Sequence, residues 1–247
     1  VDMKRYTGQF AHRTDCGRVR ISNEDQANVL TNERGDVLLL VCDGMGGQNK
    51  GDYASKTAMD YVSSSFSSCS RPSVRWLYKA IRKANRALYD ESDRDPKYSG
   101  MGTTLCAVLI LGQKMVIANV GDSRAYSYSG EDGLVRLTKD QTYVSYLLRT
   151  GQINEQEALT HPDRHVLMNA LGIYASASMD IETKPYHGQA ILLCTDGLYN
   201  NLSEMEMRAI LNTDDRPDQK VKSLIMDANN NGGSDNIGIA YWEVLPQ

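Results

Sequence analysis

The chain has 247 residues, with 27 lysines and arginines against 31 aspartates and glutamates, which gives a formal net charge of −4. Without a long basic run, this composition argues against a nucleic-acid or an anionic-membrane partner. No apolar stretch reaches the ~20 residues of a membrane span, and the first residues lack the apolar region of a signal peptide. We therefore expect a cytoplasmic protein, folded as a single domain over residues 1–247 because no linker divides the chain.

The five cysteines are odd in number and show no C-x-x-C spacing, which disfavours a disulfide framework and a thiolate zinc site. Three of them, Cys42, Cys106 and Cys194, lie within apolar runs. Buried thiols in a reducing compartment are the expected outcome.

The first third of the chain predicts two short strands and a long buried one. Residues 6–12 and 26–30 have strand character and flank a polar, exposed link. The apolar run 37–42 then ends at Asp43, followed by a glycine-rich turn beginning at Gly44. Glycines allow a sharp turn and a close approach, so that a main-chain carbonyl could coordinate whatever Asp43 holds. An ordinary Asp-Gly turn is the alternative.

Helices and hairpins follow. Apolar spacing predicts amphipathic helices over residues 51–66 and 73–89, each with one face suited to a sheet. Four β-rich runs come next, and only two residues connect the first pair, so neighbouring strands should be antiparallel. These runs are residues 103–111, 114–120, 124–128 and 134–137.

Residues 140–172 contain short helical patterns, many polar residues and no strong β run. Functional loops concentrate in such segments, so we expect an inserted flap beside the site.

The last third returns to strands and helices. It predicts a strand over 189–195, a helix opened by Ser203 with Glu206 at capping-box spacing, a helix near Pro217 and a closing strand over 237–244. Because the helices do not alternate strictly with the strands, the fold class is α+β. We expect a central antiparallel β-sandwich flanked by pairs of helices.

Four aspartates lie at the ends of apolar runs that are predicted to be strands: Asp43, Asp122, Asp196 and Asp235. Converging carboxylates without a basic partner repel one another and stay partly protonated unless a cation holds them together. A hard cation is expected, because the candidate ligands are oxygens.

A charged segment near the start of the chain could lie close to these four aspartates. Arg20, Glu24 and Asp25 lie close together in sequence and are by themselves compatible with a solvated turn. An arginine fork suits phosphate oxygens, and carboxylates suit metal ions. Two cations bridged by Asp43, about 3.5–4 Å apart, would activate a water toward phosphorus, which is the chemistry of a phosphoester hydrolase.

Five short motifs follow one another along the chain: Arg20-x-x-Asn23-Glu24-Asp25, Asp43-Gly44-Met45-Gly46-Gly47, Gly121-Asp122-Ser123-Arg124, Thr195-Asp196-Gly197-Leu198 and Ser234-Asp235-Asn236-Ile237. Together they resemble the bacterial branch of the metal-dependent serine/threonine protein phosphatases, the type 2C or PPM family. Residues 151–172 resemble the flap of that branch.

The resemblance implies a β-sandwich that holds a manganese or magnesium pair. By position, Asp43 would bridge both ions, Asp196 and Asp235 would complete one of them, and the Gly44 carbonyl would serve the other. Glu24 would be a further ligand, directly or through water.

Three more roles follow from the same resemblance. Asp25 would orient a metal-bound water, and Arg20 would hold the phosphate. Asp122, together with the position of Asp196, would support a third and weaker metal site.

The chain departs from the pattern of the family at three positions. Gln48 and Gln141 stand where histidine is common, and His165 stands where asparagine is usual. Glutamine cannot donate a proton as an imidazolium can, so the general acid is open. His161 is a possible substitute, although a lone histidine before proline is more often structural.

We expect a monomeric phosphatase of phosphoserine and phosphothreonine proteins that opposes a bacterial serine/threonine kinase. A catalytically weak regulatory or phosphoprotein-binding module is the alternative, but Asp43, Asp196 and Asp235 are all retained. A metal-dependent nuclease is a third hypothesis, against which the lack of a basic run argues.

Overall fold

The computed structural model describes residues 6–46 and 50–245 and contains two antiparallel sheets. The first sheet has the strand order β1 (Gly8–Asp15), β11 (Ile237–Val244), β10 (Ala190–Cys194), β7 (Arg124–Ser129) and β8 (Gly133–Arg136). The second sheet has the order β2 (Asp25–Thr31), β3 (Val37–Met45), β5 (Leu105–Leu111), β6 (Lys114–Val120) and β9 (Asp180–Pro185), and the short β4 (Gly102–Thr103) pairs with β3.

Helices cover the outer faces of both sheets. The second sheet carries α1 (Lys50–Ser67) and α2 (Val74–Arg94), and the first sheet carries α5 (Asp196–Tyr199), α6 (Glu204–Leu211) and α7 (Pro217–Asn230). Two short helices, α3 (Tyr143–Arg149) and α4 (Glu155–Thr160), lie within the predicted flap, and one 3-10 turn covers Pro96–Tyr98. The predicted α+β sandwich with flanking helix pairs is confirmed.

Strand β3 shows why the sandwich has three apolar layers. Its side chains alternate, so that Leu38 and Leu40 pack against the helices while Leu39 and Val41 pack between the sheets. Both faces of the strand are therefore buried, which explains why its sequence is apolar without interruption.

The structure differs from the sequence prediction mainly at the edge of the second sheet. Strand β9 was not predicted, because its sequence Asp-Ile-Glu-Thr-Lys-Pro is largely exposed and lacks a buried face. It pairs with β6 through the backbone, from Lys114 opposite Pro185 to Asn119 opposite Asp180. Backbone pairing at an edge needs no apolar pattern, so it leaves little trace in a sequence.

Local signals predicted helix starts more successfully than helix ends. At Ser203, the hydroxyl accepts a hydrogen bond from the backbone N–H of Glu206, and the Glu206 carboxylate accepts one from the N–H of Ser203. Helix α2 begins at Val74, one residue after the predicted start at residue 73, and continues to Arg94, beyond the predicted end at residue 89. All five cysteines are free thiols.

No helix within the described ranges combines the length and the apolar character needed to cross a membrane.

A core substitution tests the packing between the sheets. Leu39 is fully buried there, so Leu39→Ala should lower the free energy of unfolding by about 2–5 kcal/mol. The matched control is Leu159→Ala, since Leu159 is 76% exposed and its loss should change stability by less than about 0.5 kcal/mol. Urea denaturation of both variants measures the difference, and equal effects would contradict the assignment of Leu39 to the core.

Candidate active site

The topology brings the ends of distant strands to one end of the sandwich. There, a cleft of about 1220 Å³ opens between the strand ends, the link between β1 and β2, and the flap. Seven of the eight predicted site residues line it: Arg20, Glu24, Asp43, Gly44, Asp122, Asp196 and Asp235.

Asp25, the eighth residue, is buried and does not line this cleft. The register of β2 against β3 places it directly opposite Asp43. Its Oδ2 accepts a hydrogen bond of 2.6 Å from the Thr195 hydroxyl, which in turn accepts one of 2.7 Å from the N–H of Gly238. Thr195 therefore links the Asp25 carboxylate of one sheet to the backbone of the other.

The backbone of Asp43 is fixed on both sides of its peptide unit. Its N–H donates to the Thr104 hydroxyl at 2.9 Å, and its carbonyl accepts from the Thr104 N–H at 2.9 Å and from the Thr103 hydroxyl at 3.0 Å. The carboxylate thus projects from a rigid support into the cleft.

Gly44 lies where a side chain has no room. A Cβ atom at this position would come within 2.0 Å of the Gly51 carbonyl oxygen and 2.8 Å of that of Glu24. The N–H of Gly44 also donates to the Glu24 carbonyl at 3.1 Å. The close approach of the start of α1 to the end of β3 therefore requires glycine here.

Asn236 holds the link between β1 and β2 against the loop before β11. Its amide donates to the carbonyls of Cys16 and Ser22 at 2.9 and 2.8 Å, and its Oδ1 accepts from the N–H of Glu24 at 2.9 Å. Arg20 lies within the segment held in this way, so its position in the cleft depends on a side chain more than 200 residues away.

Arg20 forms an ion pair with one of the acids of the cleft. Its Nη2 donates to Asp235 Oδ2 at 2.8 Å. Burial tends to lower the Arg20 pKa, but the carboxylates of Asp235, Asp196 and Asp43 outweigh it and leave the pKa raised.

A buried cluster supports the turn that carries Asp122. The Tyr199 hydroxyl donates to the Asp122 carbonyl at 2.9 Å, and the Arg124 guanidinium lies 3.4 Å from the centre of the Tyr199 ring. Asp140 accepts two hydrogen bonds from Arg124, at 2.8 and 3.1 Å, and also pairs with Arg136. Tyr199 was missed by the sequence analysis, because nothing in its neighbourhood signals a contact with residue 122.

The acids raise one another's pKa. Burial, followed by neighbouring carboxylates, raises the pKa of Asp43 well above its ordinary value, and burial does the same for Asp25. The same causes raise the pKa of Asp122 to about 8 and that of Asp196 to about 6. Uncompensated carboxylates in this number indicate a place built for positive charge.

The donor set fits hard divalent cations, because it consists of carboxylate and carbonyl oxygens. Asp25 Oδ1 and Asp196 Oδ1 are both buried and have no hydrogen-bond partner, which leaves them available as acceptors. Within residues 6–46 and 50–245, no three His, Cys, Asp or Glu side chains are grouped closely enough to enclose an ion by themselves. The fit therefore rests on donor chemistry and on these two oxygens.

The residues that depart from the family pattern, and the possible substitute His161, lie in different structural surroundings. Gln141 accepts from the N–H of Gly121 at 2.8 Å and from the Asn169 amide at 2.7 Å, so it joins the flap to the turn before Asp122. His165 lines the cleft, whereas His161 is not among the lining residues and accepts from the N–H of Asp163 at 3.1 Å. Gln48 and Gly47 lie outside the described residues.

A family model described as Protein phosphatase 2C matches residues 14–219, a span that includes all of the second sheet and the flap. The chain belongs to the protein phosphatase 2C family. The family predicted from the motifs is thereby confirmed, and the protein is a phosphatase.

Relatives and solved structures agree with the family assignment. The phosphatase is 39% identical to the "Serine/threonine phosphatase stp" of Listeria monocytogenes over 239 residues, covering 94% of each chain. It is 32% identical to the "Protein phosphatase PhpP" of Streptococcus pneumoniae over 92% of this chain and 94% of the other. The crystal structure of the phosphatase Stp1 from Staphylococcus aureus superimposes with a TM-score of 0.91 at 31% identity, covering 100% of this chain and 99% of that one.

Thr195 offers a test of how the site of this phosphatase is held. In Thr195→Val, Asp25 loses its hydrogen-bond donor and the N–H of Gly238 loses its acceptor within the core. We expect a loss of about 1–3 kcal/mol in the free energy of unfolding together with a marked fall in kcat. Thr195→Ser keeps the hydroxyl and is the matched control, which should retain most activity. Equal activity of the two variants, measured by initial rates, would show that the hydroxyl has no role.

Proposed function

We propose that this phosphatase hydrolyses phosphoserine and phosphothreonine in proteins, using two divalent cations, Mn²⁺ or Mg²⁺, in the cleft at the end of the sandwich. The observation that carries the proposal is the convergence of four strand-end aspartates with Arg20 in this cleft. The number of acids argues for more than one cation, because the pKa values of Asp43 and Asp196 remain raised although Arg20 and Arg124 lower that of Asp196. The names of the bacterial relatives, which are serine/threonine phosphatases, support the choice of substrate.

Each acid has a proposed role in holding the metals. Asp43 would bridge the two ions, Asp196 and Asp235 would bind one of them, and the Gly44 carbonyl would bind the other, with Glu24 as a further ligand. A bound pair of such cations lowers the pKa of water and offsets negative charge on the phosphoryl oxygens. The fixed backbone of Asp43 supports its role, because a bridging carboxylate must hold its position.

Asp122 and Asp25 have separate proposed roles. Asp122, with Asp196, would support a third and weaker cation, which fits its place on a turn braced by Tyr199. Asp25 would orient the attacking water. The hydrogen bond from Thr195 fixes one of its carboxylate oxygens and leaves Oδ1 without a partner for that task.

Arg20 would bind the phosphate. Its guanidinium carries five N–H donors, and the contact with Asp235 engages Nη2. The side chain is 56% exposed at the cleft, so its other donors can meet phosphate oxygens from the solvent side. The planar fork suits two phosphate oxygens at once, as a lysine would not.

The wider setting is also part of the proposal. We infer a single catalytic domain acting as a monomer on phosphorylated proteins, opposite a serine/threonine kinase in the cytoplasm. The family match over residues 14–219 supports one domain, and five free thiols suit a reducing compartment.

Removing the charge of Asp43 tests the metal pair. Asp43→Asn keeps the size of the side chain, and we expect turnover of a phosphothreonine peptide with Mn²⁺ to fall by roughly 100-fold or more. Calorimetric titration with Mn²⁺ should show weakened binding in the same variant. Circular dichroism should show an unchanged fold, since the removed charge is unfavourable without metal.

The matched control is Asp60→Asn, which removes the same charge from an exposed position on α1. It should leave both turnover and Mn²⁺ binding unchanged. Full activity of Asp43→Asn at ordinary Mn²⁺ concentrations would remove Asp43 from the bridging role.

The role of Arg20 is tested by separating binding from turnover. If Arg20 anchors the phosphate in both the ground state and the transition state, Arg20→Ala should raise KM at least as much as it lowers kcat. Arg20→Lys keeps the charge but loses the fork, so its KM should be intermediate. Steady-state kinetics on a phosphothreonine peptide give both constants, and an effect on kcat alone would make Arg20 a transition-state residue instead.

A further inference from the structure

A second cavity, of about 420 Å³, lies between helix α2 and the segment that follows the flap. We call it the α2 groove. One wall is formed by four basic side chains of α2, and the other by residues 175–177 and Met179. The basic side chains are Lys79, Arg82, Lys83 and Arg86.

The charge of the α2 groove is largely uncompensated. Arg86 pairs with Asp90, with a nitrogen-to-oxygen distance of 2.8 Å. Lys79, Arg82 and Lys83 have no carboxylate partner in the part of the chain that the structure describes, and no described Asp or Glu lines the cavity. This is a local excess of positive charge on a chain whose net charge is −4. A partner that binds here would therefore be acidic.

The floor of the groove is apolar. Ile81, Val120 and Leu171 contribute to it and belong to the core, and Met179 packs against the same cluster. Cations around an apolar floor suit a peptide that carries acidic residues beside an apolar side chain. A nucleic-acid strand instead needs a basic track along its backbone, which a compact pocket does not supply.

The groove is held in shape by Asn85, a buried residue on α2. Its Oδ1 accepts from the N–H of Gly172 at 2.8 Å, and its amide donates to the carbonyls of Tyr174 and Ala175 at 3.1 and 3.3 Å. These bonds fix the segment after the flap to α2, so the cavity is part of the folded framework.

The groove is also connected to the catalytic cleft. Leu171 exchanges two backbone hydrogen bonds with Thr103, at 2.8 and 3.1 Å. The Thr103 hydroxyl donates to the carbonyl of Asp43 at 3.0 Å. A chain of buried contacts thus runs from the floor of the groove to the backbone of the proposed bridging ligand, so the groove and the cleft are parts of one folded framework.

We propose that the α2 groove binds an acidic segment of the phosphoprotein substrate, with an apolar side chain of that segment on its floor. This rests on the proposed function, because it assigns the groove to substrates of the same cleft. Docking outside the cleft would favour acidic phosphoproteins without altering the chemistry at phosphorus.

The test compares two phosphothreonine peptides with the same sequence around the phosphate. One carries an extension of glutamates with a single leucine, and the other carries the same extension with glutamine in place of glutamate. Lys79→Glu and Lys83→Glu should each raise KM for the acidic peptide by roughly fivefold or more and leave kcat unchanged. KM for the neutral peptide should stay the same, and the preference for the acidic peptide should decline as salt is raised.

The matched control is Arg75→Glu, which reverses an exposed cation of the same helix outside the groove. It should leave the preference for the acidic peptide unchanged. Replacing the leucine of the acidic extension by serine should raise KM for the wild-type protein, because the apolar floor loses its partner.

Three results would overturn the proposal. The first is an unchanged KM for the acidic peptide in both groove variants, and the second is an equal effect of Arg75→Glu. The third is that a single-stranded oligonucleotide inhibits the wild-type protein but not the groove variants, while the preference for the acidic peptide is the same in all of them. That result would assign the groove to nucleic acid. In each case Mn²⁺-dependent turnover of the neutral peptide still reports on the proposed function, and only its absence in the wild-type protein would refute that function.

Discussion

Electrostatic repulsion among the carboxylates at one end of the sandwich is the constraint on which the rest of the structure depends. Burial and mutual charge raise the pKa of Asp43, Asp122 and Asp196, so the folded chain holds them together at a cost. Hydrogen bonds from the Asp43 N–H to the Thr104 hydroxyl and from the Tyr199 hydroxyl to the Asp122 carbonyl keep them in position. A site that costs free energy when empty of positive charge is one that binds divalent cations favourably.

The scaffold can bear this cost because its strands are buried on both faces. Strand β3 packs against helices through Leu38 and Leu40 and against the opposite sheet through Leu39 and Val41. A strand fixed on both sides cannot tilt to separate the charges at its end. The same rigidity extends through Leu171 and Thr103 toward the α2 groove, so the cleft and the groove share one framework.

Parts of the site rely on long-range polar contacts instead of on the core. Asn236 joins the Arg20-bearing link to the loop before β11, and Thr195 joins Asp25 to the backbone of Gly238. Asn236 and Thr195 each adjoin an aspartate in a recognised motif, so the sequence held a signal for them. Tyr199 had none, because its partner is a backbone carbonyl of residue 122 and any residue type presents the same carbonyl.

The sequence by itself determined the strands with apolar runs, the helix start marked by Ser203, and the family, because periodicity, caps and short motifs are local properties. Tertiary structure alone decided which acids meet. The stacking of the two sheets places the end of β3 and the beginning of β2 close to β10 and β11 of the other sheet, and sequence spacing does not encode that packing. It also decided the edge strand β9 and the α2 groove, since both arise from pairing and packing between segments that are distant along the chain.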